Sequence, residues 1–463
     1  MIDEGFLLEL LKMTLTRGGE YADIYVENRE STSIQLEDNR IEKVVTGSFS
    51  GIGIRLIYKE KTAYAFSNDF SRDTLFDLAS TVSNAAAGAE RDVIIDMKEQ
   101  HPAIISRVKI PPPSVPLDKK IAAVKLANKA ARSMDCRIKQ ARIVYSESLQ
   151  KIKFAASDGI IAKDERTYTM GMAQVISSDG ASLQTGHETA GGLAGYEIFE
   201  TYPIEALAET AAQRAVMLLG ARRARSGRMP VVIAASAGGT MIHEAIGHGL
   251  EADLARQGLS VYSGKLGSQV ASNLITVIDD ATIPGKRGSF SVDDEGVASR
   301  KNILVNKGIL VSYMYDKYNA FIDKTTSTGN GRRESYEHKP IPRMTNTMIA
   351  PGTLSPDEVL RSVSNGLLVT KMGGGQVNTV TGDFVFDVQE GYLIENGKPA
   401  EPVRGATLIG NGPAILMSID MVASDLGFSI GTCGKDGQGV PVSDAMPTLR
   451  IPEIVVGGEV SAN

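Results

Sequence analysis

The chain has 463 residues, 42% of them hydrophobic and 22% charged, the composition of a soluble globular protein with about two or three cores rather than one. A formal net charge of −6 excludes a broad electrostatic footprint for nucleic acid, and with only Cys136 and Cys433 a disulfide framework is excluded too. No apolar stretch reaches the roughly 18 uninterrupted residues of a membrane span, so no membrane partner is expected.

The first residues, MIDEGFLLELLKMTLTRGG, carry acids ahead of the apolar stretch and no basic leader. They read as an amphipathic helix rather than a signal peptide, and the expected compartment is the cytoplasm. Residues 21–67 alternate in short runs such as ADIYVEN and GIGIRLIYK, which predicts an antiparallel meander with one buried face. A helix is expected over 71–90 with Ser71 as its cap. The prolines of KIPPPSVP then mark a rigid connector, a candidate subdivision near 101–116. Beyond it a helix is expected near 117–134, strands near 140–155, 160–164 and 168–178, and a long helix in YPIEALAETAAQRAVMLLGARRA. The basic cluster Arg222, Arg223, Arg225 and Arg228 reads as the solvated carboxyl end of that helix.

After the break at SGRMP come an apolar strand, VVIAAS, and a helix, AGGTMIHEAIGHGLEADLAR. Strands then dominate: LITVIDD, ILVSYMYDK, LLVTKM, TGDFVFDVQEGYLIENGKP, ATLIGN and EIVVGG, with ENGK as a tight hairpin turn. The expected fold class is α+β. Residues 1–226 would form an antiparallel sheet with helices, and 227–463 a β-rich domain carrying one helix of chemical interest.

That helix holds HEAIGH, with two of the five histidines, His243 and His248, and a candidate general base, Glu244. The familiar helical zinc motif sets its histidines four residues apart, on one face. Here they are five apart, roughly 140° on a regular helix, which is poor geometry for chelation. A π-bulge, a distortion at Gly247, or a helix end at His248 would each repair it, and Gly247 and Gly249 would relax the backbone. The alternative is a pair of buried, satisfied histidines.

A catalytic zinc takes about three protein ligands and keeps one position open. Glu251, Asp253, His338 and Cys433 are candidates for the third. Glu251 and Asp253 also suit the role of orienting the histidines, or a solvated acidic face. His338, in GNGRRESYEHKPIPRMTNT, is better placed to meet substrate or to sit on a loop. Cys433, in SIGTCGKDGQGVPVSDA, lies among glycines and polar residues that suit an exposed loop better than a core. In GGGQVNTVTGDF, Gly374 and Gly375 could let an extended peptide approach a strand edge, or could simply form a turn.

HEAIGHGLEAD, GRRESYEHKPIPRMTN, GGGQVNTVTGDFVFDVQEGYLIENGK and GTCGKDGQ together resemble the TldD branch of the TldD/PmbA metalloprotease family, and the similarity runs through the whole chain. The resemblance implies two domains, a zinc ion held by His243, His248 and Cys433, and Glu244 as catalytic base. It further implies unstructured peptides or peptide precursors as substrates, and dimerisation with a TldE/PmbA-like relative that lacks the motif, or with itself. The family also carries the label of DNA gyrase modulator. A noncatalytic regulatory protein with a structural or absent metal is therefore the alternative expectation.

Overall fold

The computed structural model describes residues 2–86, 88 and 93–458. The first half is built on one sheet. Its strands are β1 (Tyr21–Glu37), β2 (Arg40–Tyr58), β3 (Lys61–Ser67), β4 (Lys98–Glu99), β5 (Ile138–Ala156), β6 (Ile160–Ser178) and β7 (Leu183–Leu193). The order is β3-β2-β1-β5-β6, with β4 and β7 both pairing with β6. All pairings are antiparallel except the short β4–β6 contact.

Alternation along the strands separates two faces. Ala22, Ile24 and Val26 of β1 pack with helix α1 (Glu4–Leu15) and helix α2 (Arg72–Ser83). Further along, Ile34 and Leu36 share a core with helix α3 (Leu117–Ser133) and with the helix Ile204–Gly220. These four helices thus cover one face. The other face, through Tyr25, Ile152, Phe154 and Ala162, packs on Val292 and Tyr336 of the second half.

Polar groups reinforce that junction. Arg55, 1% exposed, donates Nε to Asp23 at 2.8 Å and reaches Glu295 across the junction at 2.6 Å. Arg166 meets Asp294 at 2.8 Å, and the Tyr336 amide bonds Glu27 at 2.9 Å. Each of these charges is buried with a partner, the condition under which burial is tolerated.

Among the described residues the second half holds an eight-stranded sheet, a six-stranded sheet and a two-stranded ribbon of Gly331–Arg332 with Ile341–Pro342. The HEAIGHGL segment packs between strands of the two, against Asn365–Val377 and Asp383–Glu395 on one side and Asn346–Ile349 on the other. Among the described residues no helix is long and apolar enough to cross a membrane.

Several expected elements take another form. The helix expected over 71–90 ends at Ser83, and residues 87 and 89–92 lie outside the described part. Ser71 occupies the cap position without capping: its hydroxyl bonds Asp69 and Thr74 instead. The 160–164 and 168–178 segments are one strand, and β7 forms where the sequence gives no strand signal. The arginine cluster does not extend a helix. The helix stops at Gly220, Arg222–Arg223 pair with Val403 and Arg404 as a strand, and Arg228 in the next strand meets Glu453.

Candidate metal centre

The segment expected as one helix takes three pitches in succession. It begins as an α-turn at Thr240–Ile242, widens to a π turn over His243–Gly247, and tightens to a 3-10 turn over His248–Leu250. Glu251 is extended before Ala252–Arg256 resumes as a helix. The His248 amide bonds the His243 carbonyl, five residues back. One widened turn therefore spans the gap between the histidines, and their rings lie 5.1 Å apart at 90°.

Packing and hydrogen bonds hold this irregular turn. Ile242, Ile246 and Leu250 are fully buried, each contributing about 1.5–3 kcal/mol. Tyr262 donates its hydroxyl to the Ala245 carbonyl at 3.0 Å, and Ser260 donates to the Gly249 carbonyl at 2.6 Å. The two glycines act differently from expectation. Gly247 has ordinary helical angles, φ −53° and ψ −58°, so it supplies no unusual backbone. A Cβ there would lie 2.2 Å from Met344 Sδ, and one at Gly249 2.6 Å from the Tyr262 ring. Both glycines serve close packing.

Cys433 is not on an exposed loop, which corrects the reading of SIGTCGKDGQGVPVSDA. Gly427–Lys435 and Gln438–Met446 form a β-hairpin closed by Asp436 and Gly437, both at positive φ, and Cys433 is 4% exposed opposite Val440. Its Sγ lies 3.5 Å from His248 Nε2. One donor atom each from His243, His248 and Cys433 lie within 4.8 Å of one another.

Carboxylates stand behind the imidazoles. Glu251, fully buried, accepts from His248 Nδ1 at 3.1 Å, and Asp444 lies 3.9 Å from His243 Nδ1, an atom with no closer partner. Lys435, on the same strand face as Cys433, bridges Glu251 at 3.2 Å and Asp253 at 2.7 Å. Arg343 donates to the Cys433 carbonyl and, at 3.1 Å, to that of Gln438, fixing the hairpin. Asp444, Lys435 and Arg343 were missed in the sequence. The i+2 spacing of Cys433 and Lys435 was the available signal for one of them.

The electrostatics favour a cation at this point. Burial pushes the Cys433 thiol up, but hydrogen bonds from His243 and His248 outweigh it and bring it down to about 5. Burial likewise opposes charge on His248, yet Glu251 and the thiol raise it well above the usual imidazole range. Against its own burial, Lys435 and His248 hold Glu251 down at about 2. A thiolate between two imidazoles is the donor set of a borderline-soft ion. The 3.5 Å Sγ–Nε2 separation also fits, since donors at usual zinc distances about a tetrahedral ion lie about 3.5 Å apart.

Glu244 is not one of the three clustered donors. It is half-buried, its carboxylate has no hydrogen-bond partner among the described residues, and burial raises its pKa although both histidines lower it. His338 lies apart from the donors, in a turn where its Nδ1 is 3.0 Å from Ser335 Oγ. Gly374 is exposed with open space at its Cβ position, whereas a Cβ at Gly375 would strike the Phe386 ring. Their strand, Asn365–Val377, pairs along its length with Asp383–Glu395 but with Gly227–Ile233 only through Leu367–Val369. Beyond Thr370 its second edge carries no strand among the described residues, and the strand packs against the HEAIG turn.

Comparison with known proteins places this architecture. The PmbA/TldA metallopeptidase C-terminal domain matches residues 226–458, the central domain 110–219, and domain 1 22–89. The chain belongs to the PmbA/TldD metallopeptidase family. It is 39% identical to a metalloprotease TldD homolog of Haemophilus influenzae, over 98% of this chain and 96% of that one. With a zinc metalloprotease TldD homolog of Saccharolobus solfataricus it shares 27% identity, over 98% and 100% of the two chains. Among solved structures it resembles a Thermotoga maritima protein described as a modulator of DNA gyrase, with TM-score 0.78, 20% identity and coverage of 94% and 96%. TldE from Thermococcus kodakarensis gives 0.76 at 18% identity, covering 98% and 99%. The structural neighbours share the α+β fold, with its N-terminal antiparallel sheet and β-rich second half.

Proposed function

We propose that this chain is a zinc-dependent peptidase acting on unstructured peptides or peptide precursors, with His243, His248 and Cys433 as ligands and Glu244 as general base. The observation that carries this reading is the convergence of two imidazoles and a thiol around one π turn, beside a half-buried carboxylate with no other partner. A family of metallopeptidases and a relative named a zinc metalloprotease support the choice of ion.

Zinc held there would lower the pKa of coordinated water and polarise a peptide carbonyl. Glu244 accepts a proton from the attacking water and passes it to the leaving amine, and the partial burial that raises its pKa favours its taking that proton. Glu251 and Asp444 orient the imidazoles from behind. The free edge beyond Thr370, alongside the HEAIG turn, offers main-chain groups to an extended peptide, which gives affinity with little sequence preference. Gly374 leaves room for that approach, and a role for His338 in holding substrate remains part of the reading.

The division at 226/227 into an N-terminal α+β domain and a metallopeptidase domain, with a subdivision near 101–116, belongs to the same proposal. So do the cytoplasm as compartment and dimerisation with a TldE-like relative or a second copy, to which the fold shared with TldE lends support. Substituting Glu244→Gln tests the core of it. The variant should keep stoichiometric zinc and lose cleavage of an unstructured peptide by at least about a hundredfold. Undiminished cleavage would overturn the mechanism.

A further inference from the structure

Between the second face of the N-terminal sheet and the second half lies a cavity of about 290 Å3. Arg29, Arg166, Arg287, Arg332 and Arg333 all line it. Three of these are matched: Arg29 by Glu27 at 2.6 Å, Arg166 by Asp164 and Asp294 at 3.0 and 2.8 Å, and Arg333 by Asp23 at 3.8 Å. The cavity's remaining acids have partners of their own. Glu147 pairs with Lys120 at 2.6 Å, and Glu334 accepts from the Gly439 amide.

Arg287 and Arg332 pair with no carboxylate among the described residues. Arg287 donates Nε to the Gly431 carbonyl at 3.2 Å, and Arg332 donates Nη1 to the Met344 carbonyl at 2.7 Å. Each also lies over an aromatic ring, Tyr168 at 5.8 Å and Phe290 at 5.4 Å. Arg332 is 2% exposed, and burial disfavours the charge on both. A guanidinium does not give up its proton in a protein, so two desolvated positive charges border the cavity with no ion pair of their own: Asp294 acts on Arg332 from a distance but is paired with Arg166, and no carboxylate acts on Arg287. Charged groups that are buried and unmatched are costly, and an oxyanion answers both with charge-assisted hydrogen bonds.

We infer that this cavity is a binding site for an oxyanion, a carboxylate or a phosphate, held by Arg287 and Arg332. Ser148 and Thr432, also on its wall, supply hydroxyl donors. Thr432 pairs with Pro441 on the hairpin face opposite Cys433. An anion here is therefore separated from the metal donors by the thickness of one hairpin. It also touches both halves of the molecule, since β1, β5 and β6 form the other wall.

The test is isothermal titration of the whole chain at low salt with inorganic phosphate and with N-acetyl-dialanine, whose C-terminal amide serves as the control. At least one anion should bind saturably at one per chain, and the amide should not. Binding should weaken more than tenfold in Arg287→Gln and in Thr432→Glu, which places a negative charge on an exposed position of the wall. Arg287→Lys should retain part of it. Phosphate binding alone assigns a free anion, and dipeptide binding alone assigns a peptide end. No saturable binding by either, or binding unchanged in both Arg287→Gln and Thr432→Glu, overturns the inference. Neither readout requires turnover, so the outcome is separate from that of the peptidase reading.

Discussion

His248 Nδ1 lies 3.1 Å from Oε2 of Glu251, a fully buried carboxylate that Lys435 touches at 3.2 Å. The break in the helix makes this contact: Glu251 is extended, φ −74° and ψ 125°, immediately after the 3-10 turn that carries His248. With Nδ1 engaged, Nε2 is left to face Cys433. Replacing Glu251 by Gln should therefore weaken metal binding about 10–100-fold, as loss of such supporting carboxylates does. Chelator-competition titration measures it, and an unchanged affinity would remove Glu251 from this role.

Cys433 offers a sharper test. Cys433→Ala deletes one of three donors while removing a single small atom from a buried site. Metal analysis of the purified variant should give well under one zinc per chain, against about one for the parent. The parent should also lose thermal stability on chelation, because an ion at 100 times its Kd contributes about 2.7 kcal/mol. The variant should show little further loss. Full zinc content in Cys433→Ala would exclude the thiolate as a ligand.

Gly247 is held to glycine by Met344 rather than by its own backbone, and this can be isolated. Gly247→Ala should destabilise the fold by about 1–3 kcal/mol through overpacking against Sδ, 2.2 Å from the new Cβ. In a Met344→Ala background the same change should cost at least about 1 kcal/mol less, a coupling that urea unfolding of the four proteins resolves. Additive effects would mean that the glycine is needed for another reason.

Two hairpins of the second half show what the sequence discloses. Asn396 and Gly397 turn ENGK between runs of alternating apolar residues, and that hairpin is legible. Asp436 and Gly437 turn KDGQ in the same way, but Gly427–Lys435 has few apolar residues, so periodicity is silent. Its burial comes from what packs on it, the HEAIGH turn and Arg343, and no local pattern encodes those contacts. For the same reason β7, LQTGHETAGGL, carries no strand pattern: its glycines Gly186 and Gly191 fit against the Ile204–Gly220 helix and β6. The five-residue histidine spacing was more informative. It could meet at one ion only if the helix widened or broke, and the chain does both.

The strand edge near the candidate site is tied to the N-terminal sheet by one carboxylate. Glu188 of β7 meets Lys371, on the glycine-rich strand, at 2.5 Å and Arg214 at 3.0 Å. Burial pushes its pKa up, but Lys371 and Arg214 outweigh that and leave it below the ordinary value of 4.5. The sign follows directly. A carboxylate whose folded pKa is depressed contributes stability that is present above its unfolded value and is lost as pH falls through the folded one. Below about pH 4.5, then, this tie should weaken first in its own neighbourhood, and amide exchange of residues 371–377 should accelerate relative to the core strand Gly227–Ile233. In Glu188→Gln the exchange of 371–377, corrected for the intrinsic rate, should already be fast at pH 7 and should show no further acceleration below pH 4.5. If the variant instead keeps the parent's pH dependence, another carboxylate controls the edge.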